Sequence, residues 1–167
     1  MVETLVTWFI ETFGGLISKE ALVFFISTLP ILELRGGVLA GYFLGLPILS
    51  TTIFALLGNI LPIPLYLMFI EAVLNWALKH KLFVKTITRL KKRAQSKSAE
   101  VSKYEFWGLV LFVAIPLPGT GAVTGTMIAE ALQMDRKKAM LSITIGVLIA
   151  AVIMLSISYG LLSFLGL

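Results

Sequence analysis

The chain has 167 residues, 58% of them hydrophobic and 14% charged, and its mean hydropathy is +0.98. Soluble globular domains do not sustain that balance; it points to a single-domain membrane protein with room for roughly four to six embedded elements of about 20 residues each. The absence of cysteine excludes disulfides and thiolate metal sites, and the net charge of +5 is concentrated in one segment.

In residues 1 to 18, Val2, Leu5, Val6, Phe9, Ile10, Phe13, Leu16 and Ile17 follow helical spacing, with Glu3, Thr4, Thr7, Glu11 and Thr12 opposite. This predicts an amphipathic helix lying in the membrane interface. A first transmembrane helix is the alternative, disfavoured by the two glutamates and Gly14-Gly15. Without a basic n-region or a small-residue cleavage site, the segment does not read as a signal peptide and is expected to be retained.

From Glu20 the chain turns strongly apolar, but Leu29-Pro30-Ile31-Leu32-Glu33-Leu34-Arg35-Gly36-Gly37 breaks the run. Each resulting arm of about ten residues covers only about 15 Å of a hydrocarbon core about 30 Å thick. Two such arms meeting at a polar tip describe a re-entrant hairpin, tolerated where protein shields its irregular backbone. One kinked spanning helix across 20 to 46 is the alternative. Glu33 and Arg35 are expensive among apolar neighbours, and intramembrane charge marks a candidate functional site.

Ile48 to Leu78 reads as one kinked transmembrane helix, interrupted by Gly58-Asn59 and by Pro62-Ile63-Pro64. Asn59 and Glu71 are expected to face the protein interior, and Trp76 stands where an interfacial anchor belongs. Then come Lys79, Lys81, Lys85, Arg89, Lys91, Lys92, Arg93, Lys97 and Lys103 against Glu100 and Glu105. Short basic loops stay inside, so residues 79 to 105 are expected to be cytoplasmic, a solvated loop with attraction to anionic headgroups and no nucleic-acid role.

Phe106 to Ile115 form another short apolar arm, which ends in Pro116-Leu117-Pro118-Gly119-Thr120-Gly121 and returns as Ala122 to Met134. After Asp135-Arg136-Lys137-Lys138, Ala139 to Leu165 is long enough for a final spanning helix. If 106 to 134 crossed the membrane, Arg136, Lys137 and Lys138 would lie opposite the basic loop, against the positive-inside bias. A second re-entrant hairpin avoids this, with the first entering from outside and the second from inside.

Gly37, Gly41 and Gly45 recur as Gly121, Gly125 and Ala129 at an offset of 84. Small residues every four positions let helices approach closely, and paired Pro/Gly-broken segments in two halves indicate an inverted-topology repeat with a binding site near the midplane. The expected organisation is one membrane domain: an amphipathic helix 1–18, a first repeat 20–78, the basic loop 79–105 and a second repeat 106–167. The candidate site comprises Glu33, Arg35, Gly36, Gly37, Asn59, Pro116, Pro118, Gly119, Thr120, Gly121 and Thr124. The return arms starting near Gly36 and Gly121 aim free N–H groups between the hairpins, where an anion or a polar headgroup fits. Arg35 can hold a phosphate or carboxylate or neutralise Glu33; a desolvated Glu33 is a candidate proton carrier. Thr120 and Thr124 offer hydroxyls, to a ligand or to local carbonyls.

Enzymatic readings find little support. His80 is the one histidine, so neither a Ser/His dyad nor a His-based metal site can be assembled in one chain, and no phosphate-binding P-loop is present. No cofactor is expected.

The motifs at Leu29–Gly37, Gly58-Asn59-Ile60-Leu61-Pro62-Ile63-Pro64 and Pro116–Gly125 resemble the putative small multidrug export protein family, over most of the chain from about Ile26. The sequence departs from the family pattern at Leu39, where proline is expected, and at Val123, where tryptophan is. That family is in turn distantly similar to the DedA and VTT-domain proteins. This similarity implies two re-entrant hairpins tip to tip and translocation of a lipid or amphiphile. Glu33 and Arg35 match the acid and base of the DedA tips, while Pro116–Gly121 has no arginine to complete them. The combined expectation is a multi-pass plasma-membrane transporter or flippase of a small amphiphile or lipid, proton-coupled through Glu33 and homodimeric. An uncoupled lipid scramblase and a non-transporting membrane scaffold are the alternatives.

Overall fold

The computed structural model describes residues 2–79, 99–117 and 119–162, and every regular element among them is helical. In chain order these are α1 (Val2–Phe13), α2 (Lys19–Thr28), α3 (Glu33–Phe43), α4 (Ile48–Ile60), α5 (Ile63–Lys79), α6 (Ala99–Ala114), α7 (Ala122–Ala131) and α8 (Arg136–Leu155). A π-helical stretch, Ser156–Leu162, continues α8.

α1 rests on the rest of the molecule through buried Val6 and the partly buried Leu5, Phe9, Ile10 and Phe13. The expected apolar face is shorter than the sequence pattern: Gly14-Gly15 end the helix, so Leu16 is left 76% exposed and Ile17 lies past the terminus.

Ser18 caps α2 by accepting the Ala21 N–H at 3.2 Å, and Leu29 turns extended before Pro30, where an α conformation would clash with the proline ring. α3 then folds back along α2. Their contact requires bare backbone: a Cβ at Gly37 would overlap Ser27 Oγ, and one at Gly36 would press on Ile26 Cγ2 at 3.2 Å. Both glycines therefore serve the helix pairing. α3 also begins at Glu33, three residues before the expected Gly36.

The apolar run after Ile48 divides at Leu61-Pro62 into α4 and α5. Pro62 has no N–H for the Gly58 carbonyl; the Thr28 hydroxyl, 3.1 Å away, serves that carbonyl and lies 3.0 Å from Phe24 O. Asn59 is buried as expected, but Glu71 faces outward, corrected by the helical phase that puts it beside exposed Met68 and Phe69. Trp76 is exposed near the end of α5. Residues 80–98, most of the expected basic loop, lie outside the described residues. The following helix starts at Ala99 and not at Phe106, because the intervening polar residues are themselves good helix formers.

Ile48–Ala72 and Arg136–Gly160 are each 25 residues long and apolar enough to cross a membrane, with only 33% and 39% of their apolar windows buried. Ile53, Leu57, Leu61, Leu65, Met68 and Phe69 form an outward apolar stripe on the first, and Leu141, Leu148 and Val152 face outward on the second. A core helix of a soluble protein would bury these faces. α2, α3 and α7, at 10 to 11 residues, reach only about 15 Å and cannot span alone.

The two halves share local structure in a register that differs from the sequence ladder. α3 ends with Gly45 at φ 67° and a Leu46 N–H to Gly41 O bond of 2.9 Å; α7 ends with Gln133 at φ 51° and a Met134 N–H to Ala129 O bond of 2.9 Å. Both are Schellman-type terminations. Pro47 and Asp135 open the next helices, and Gly58 and Gly146 pack α4 on α2 and α8 on α6, touching Phe24 O and Val110 O. The helix terminators, the helix-opening residues and the packing glycines lie 88 residues apart, which aligns Gly37 with Gly125 and leaves Gly121 without a glycine counterpart; the carbonyls of Phe24 and Val110 lie 86 apart. The offset of 84 is thus corrected: Gly121 is the N-cap of α7 and Gly45 is a helix terminator, so neither is a rung of a packing ladder.

Candidate functional site

The tips of the two helix pairs meet, and the contact is made by the charged residues of α3. Glu33 is 8% exposed and Leu34 and Gly36 beside it are buried, in a core shared with Ile26, Val113, Ala122 and Val147. Its backbone is left-handed, φ 50°, a conformation that costs an L-residue about 1 to 2 kcal/mol. The turn closes through the Glu33 N–H to Leu29 O bond of 2.8 Å. This strained start directs the carboxylate at the second tip.

There Glu33 Oε1 accepts the Val123 N–H at 3.1 Å. Gly121, the N-cap of α7, offers no side chain to its own helix, so Glu33 caps α7 from another segment of the chain. A carboxylate at a helix N-terminus satisfies orphan N–H groups and complements the positive end of the dipole. Gly121 makes the approach possible, since any Cβ there would overlap the Glu33 carboxylate.

Arg35 engages the other helix end of the same tip. Its Nη2 donates to Thr120 Oγ1 at 2.7 Å and lies 3.4 Å from Ile115 O, just past the C-terminus of α6. The Thr120 hydroxyl is within 2.6 Å of Ile115 O and 2.8 Å of Leu117 O as donor, and accepts the Leu117 N–H at 3.3 Å. One hydroxyl therefore ties the turn together and presents a lone pair to Arg35. The guanidinium at the negative end of α6 and the carboxylate at the positive end of α7 form complementary contacts, and the two charges also attract each other.

Asn59 is buried next to this junction, where its Nδ2 donates to Ser27 O at 3.2 Å. A cavity of about 10 Å³, room for one water, lies between Glu33, Arg35, Asn59, Gly121, Val147 and Ala150. The tips are closed on one another, and a drug-sized molecule does not fit between them in this conformation.

The site residues anticipated from sequence thus fall into groups. Glu33, Arg35, Asn59, Thr120 and Gly121 converge on the junction. Gly36 and Gly37 serve the α2–α3 seam, Pro116 and Gly119 (φ 84°) shape the second turn, and Thr124 is half-buried on α7. Pro118 lies outside the described residues. Sequence reasoning missed the Val123 N–H as the partner of Glu33 and the Ile115 carbonyl as a partner of Arg35. Backbone groups carry no residue signature; the break before Ala122 was the only pointer to free N–H groups at that place.

A family model described as "Putative small multi-drug export protein" matches residues 33–153, and the chain belongs to that family. The match starts at Glu33 and includes the second tip and most of α8. No curated protein and no solved structure matches the chain. Family and fold together describe an all-helical membrane protein of the export type, with two helices apolar and long enough to cross the bilayer.

Proposed function

We propose, from this family membership, that the protein is a membrane transporter or flippase of a small amphiphile or lipid, working at the junction of Glu33 and Arg35 with the second tip. The observation that carries the reading is the pairing of one acid and one base, deep in an apolar helical assembly, with two opposed helix ends. Charges held by helix ends can be released when those ends move away, and a substrate's polar group can take the vacated places. In this reading the short helix pairs are re-entrant hairpins, the first entering from outside and the second from the cytoplasm beside the basic loop. They form the inverted repeat suggested by the features recurring 88 residues apart.

The cycle parts the tips. Arg35 leaves Thr120 and binds an anionic or polar headgroup; Glu33 leaves the N-terminus of α7, which becomes free to hold the same group. A proton on Glu33 removes the charge that α7 attracts and so favours parting, which couples movement to protons. The small size of the chain suits a homodimer.

Reconstituted protein in liposomes tests this. Labelled lipid or a cationic dye is expected to cross faster than in protein-free vesicles, with a rate that responds to a pH gradient and loses that response in Glu33→Gln. Flux that ignores the gradient and survives Glu33→Gln would identify an uncoupled scramblase, and no flux of either probe would leave a scaffold. Cysteines introduced at Gln95 and Lys137 are expected to react from the same side of the membrane; labelling from opposite sides would refute the second hairpin.

A further inference from the structure

A second cavity, about 700 Å³ in volume, lies along the outer seam of α2 and α4, away from the tip junction. Both helices run in the same direction there, since Ser18 and Ser50 stand near their starts and Gly58 packs on Phe24 and Ser27 near their ends. The groove is graded along this axis. Ser18, Glu20 and Ser50 line the end nearest the helix starts, and Phe24, Phe54 and Leu57 line the part that runs toward the tip. Glu20 is the charged residue of this lining; its neighbour Lys19 is turned to the end of α3, where Nζ donates to Leu44 O at 2.8 Å. Phe25 and Leu57, 55% and 46% exposed, leave the deep part accessible from the side.

We propose that this groove docks an amphiphile with a single positive charge, its charged end at Glu20 and its apolar body against Phe24, Phe54 and Leu57. The volume lies in the range of small-molecule sites, and a carboxylate beside aromatic rings attracts a weakly hydrated cation through both its charge and the ring faces. In the transport reading, the exposed Phe25 and Leu57 at the groove's edge let the molecule arrive from the bilayer. The proposal deepens the transport reading, and rests on it, by naming the substrate class and the place where it is first held. The Gly58–Ser27 seam separates this groove from the cavity at Glu33, so docking and translocation are separate events on separate surfaces.

The test uses the full-length protein in phosphatidylcholine nanodiscs, with radiolabelled tetraphenylphosphonium and its size-matched anion tetraphenylborate. Saturable phosphonium binding above that of empty discs is expected, weakened about fivefold in Glu20→Gln and about threefold in Phe54→Leu, which keeps the apolar bulk and loses the ring. Ser50→Trp fills the groove and is expected to abolish binding, and it serves if the Glu20 variant does not fold. Unchanged affinity in both Glu20→Gln and Ser50→Trp, equally strong saturable tetraphenylborate binding, or binding lost only in Glu33→Gln would overturn the groove assignment. Absence of liposome flux alongside intact, Glu20-dependent phosphonium binding would instead overturn the transport reading and leave the groove site standing.

Discussion

The two tips solve the same problem with different chemistry. The first carries a full acid and a full base on a turn strained at Glu33; the second has no charged side chain and presents the C-terminal end of α6 and the N-terminal end of α7. Full charges on one side meet partial charges of the opposite sign on the other. An acid and a base on one tip do not need charged residues on the other when helix ends are available, because each end carries roughly half an elementary charge and unsatisfied hydrogen-bonding groups.

Removing the carboxylate breaks this complementarity most severely. Glu33→Ala leaves the N-terminus of α7 uncapped and removes the negative charge near Arg35, with an expected loss of about 2 to 3 kcal/mol in reversible denaturation and faster amide exchange at Val123. Gly121→Ala acts from the opposite side. Its Cβ collides with the carboxylate, costing about 1 to 3 kcal/mol, and the cost is expected to shrink when Glu33 is already alanine. Additive losses in that double-mutant cycle would show that the two tips do not share this contact.

Thr120→Val probes the hydroxyl that joins Arg35 to the second turn. A destabilisation of about 1 to 2 kcal/mol is expected, with most of it recovered by Thr120→Ser, measured as the shift in the denaturation midpoint. The smallest effects sharpen the comparison between the halves at their helix ends. Gly45→Ala is expected to destabilise by about 1 kcal/mol, whereas Gln133→Gly relieves a strained left-handed residue and stays within about 1 kcal/mol of wild type. Equal losses at both sites would contradict the 88-residue correspondence.

Much of the site was legible one segment at a time. Composition made the chain a membrane protein, Pro30 and Pro116 marked the breaks, and Glu33 and Arg35 stood out because charge in an apolar run demands a partner. The partners themselves were hidden, because Val123 N–H and Ile115 C=O are backbone groups that any residue would supply. The glycine ladder was visible but mixed two roles: spacing alone cannot separate a glycine that packs, such as Gly125 against Val113, from one that clears space for a carboxylate, as Gly121 does.

By itself the sequence determined the apolar spans, the broken arms and the choice of residues able to act, since these follow from local hydropathy and from the covalent limits of proline and glycine. Only the tertiary structure decided that Glu33 caps α7 and Arg35 faces the end of α6, because helix-end fields act over a turn or less and matter only once folding brings the tips together.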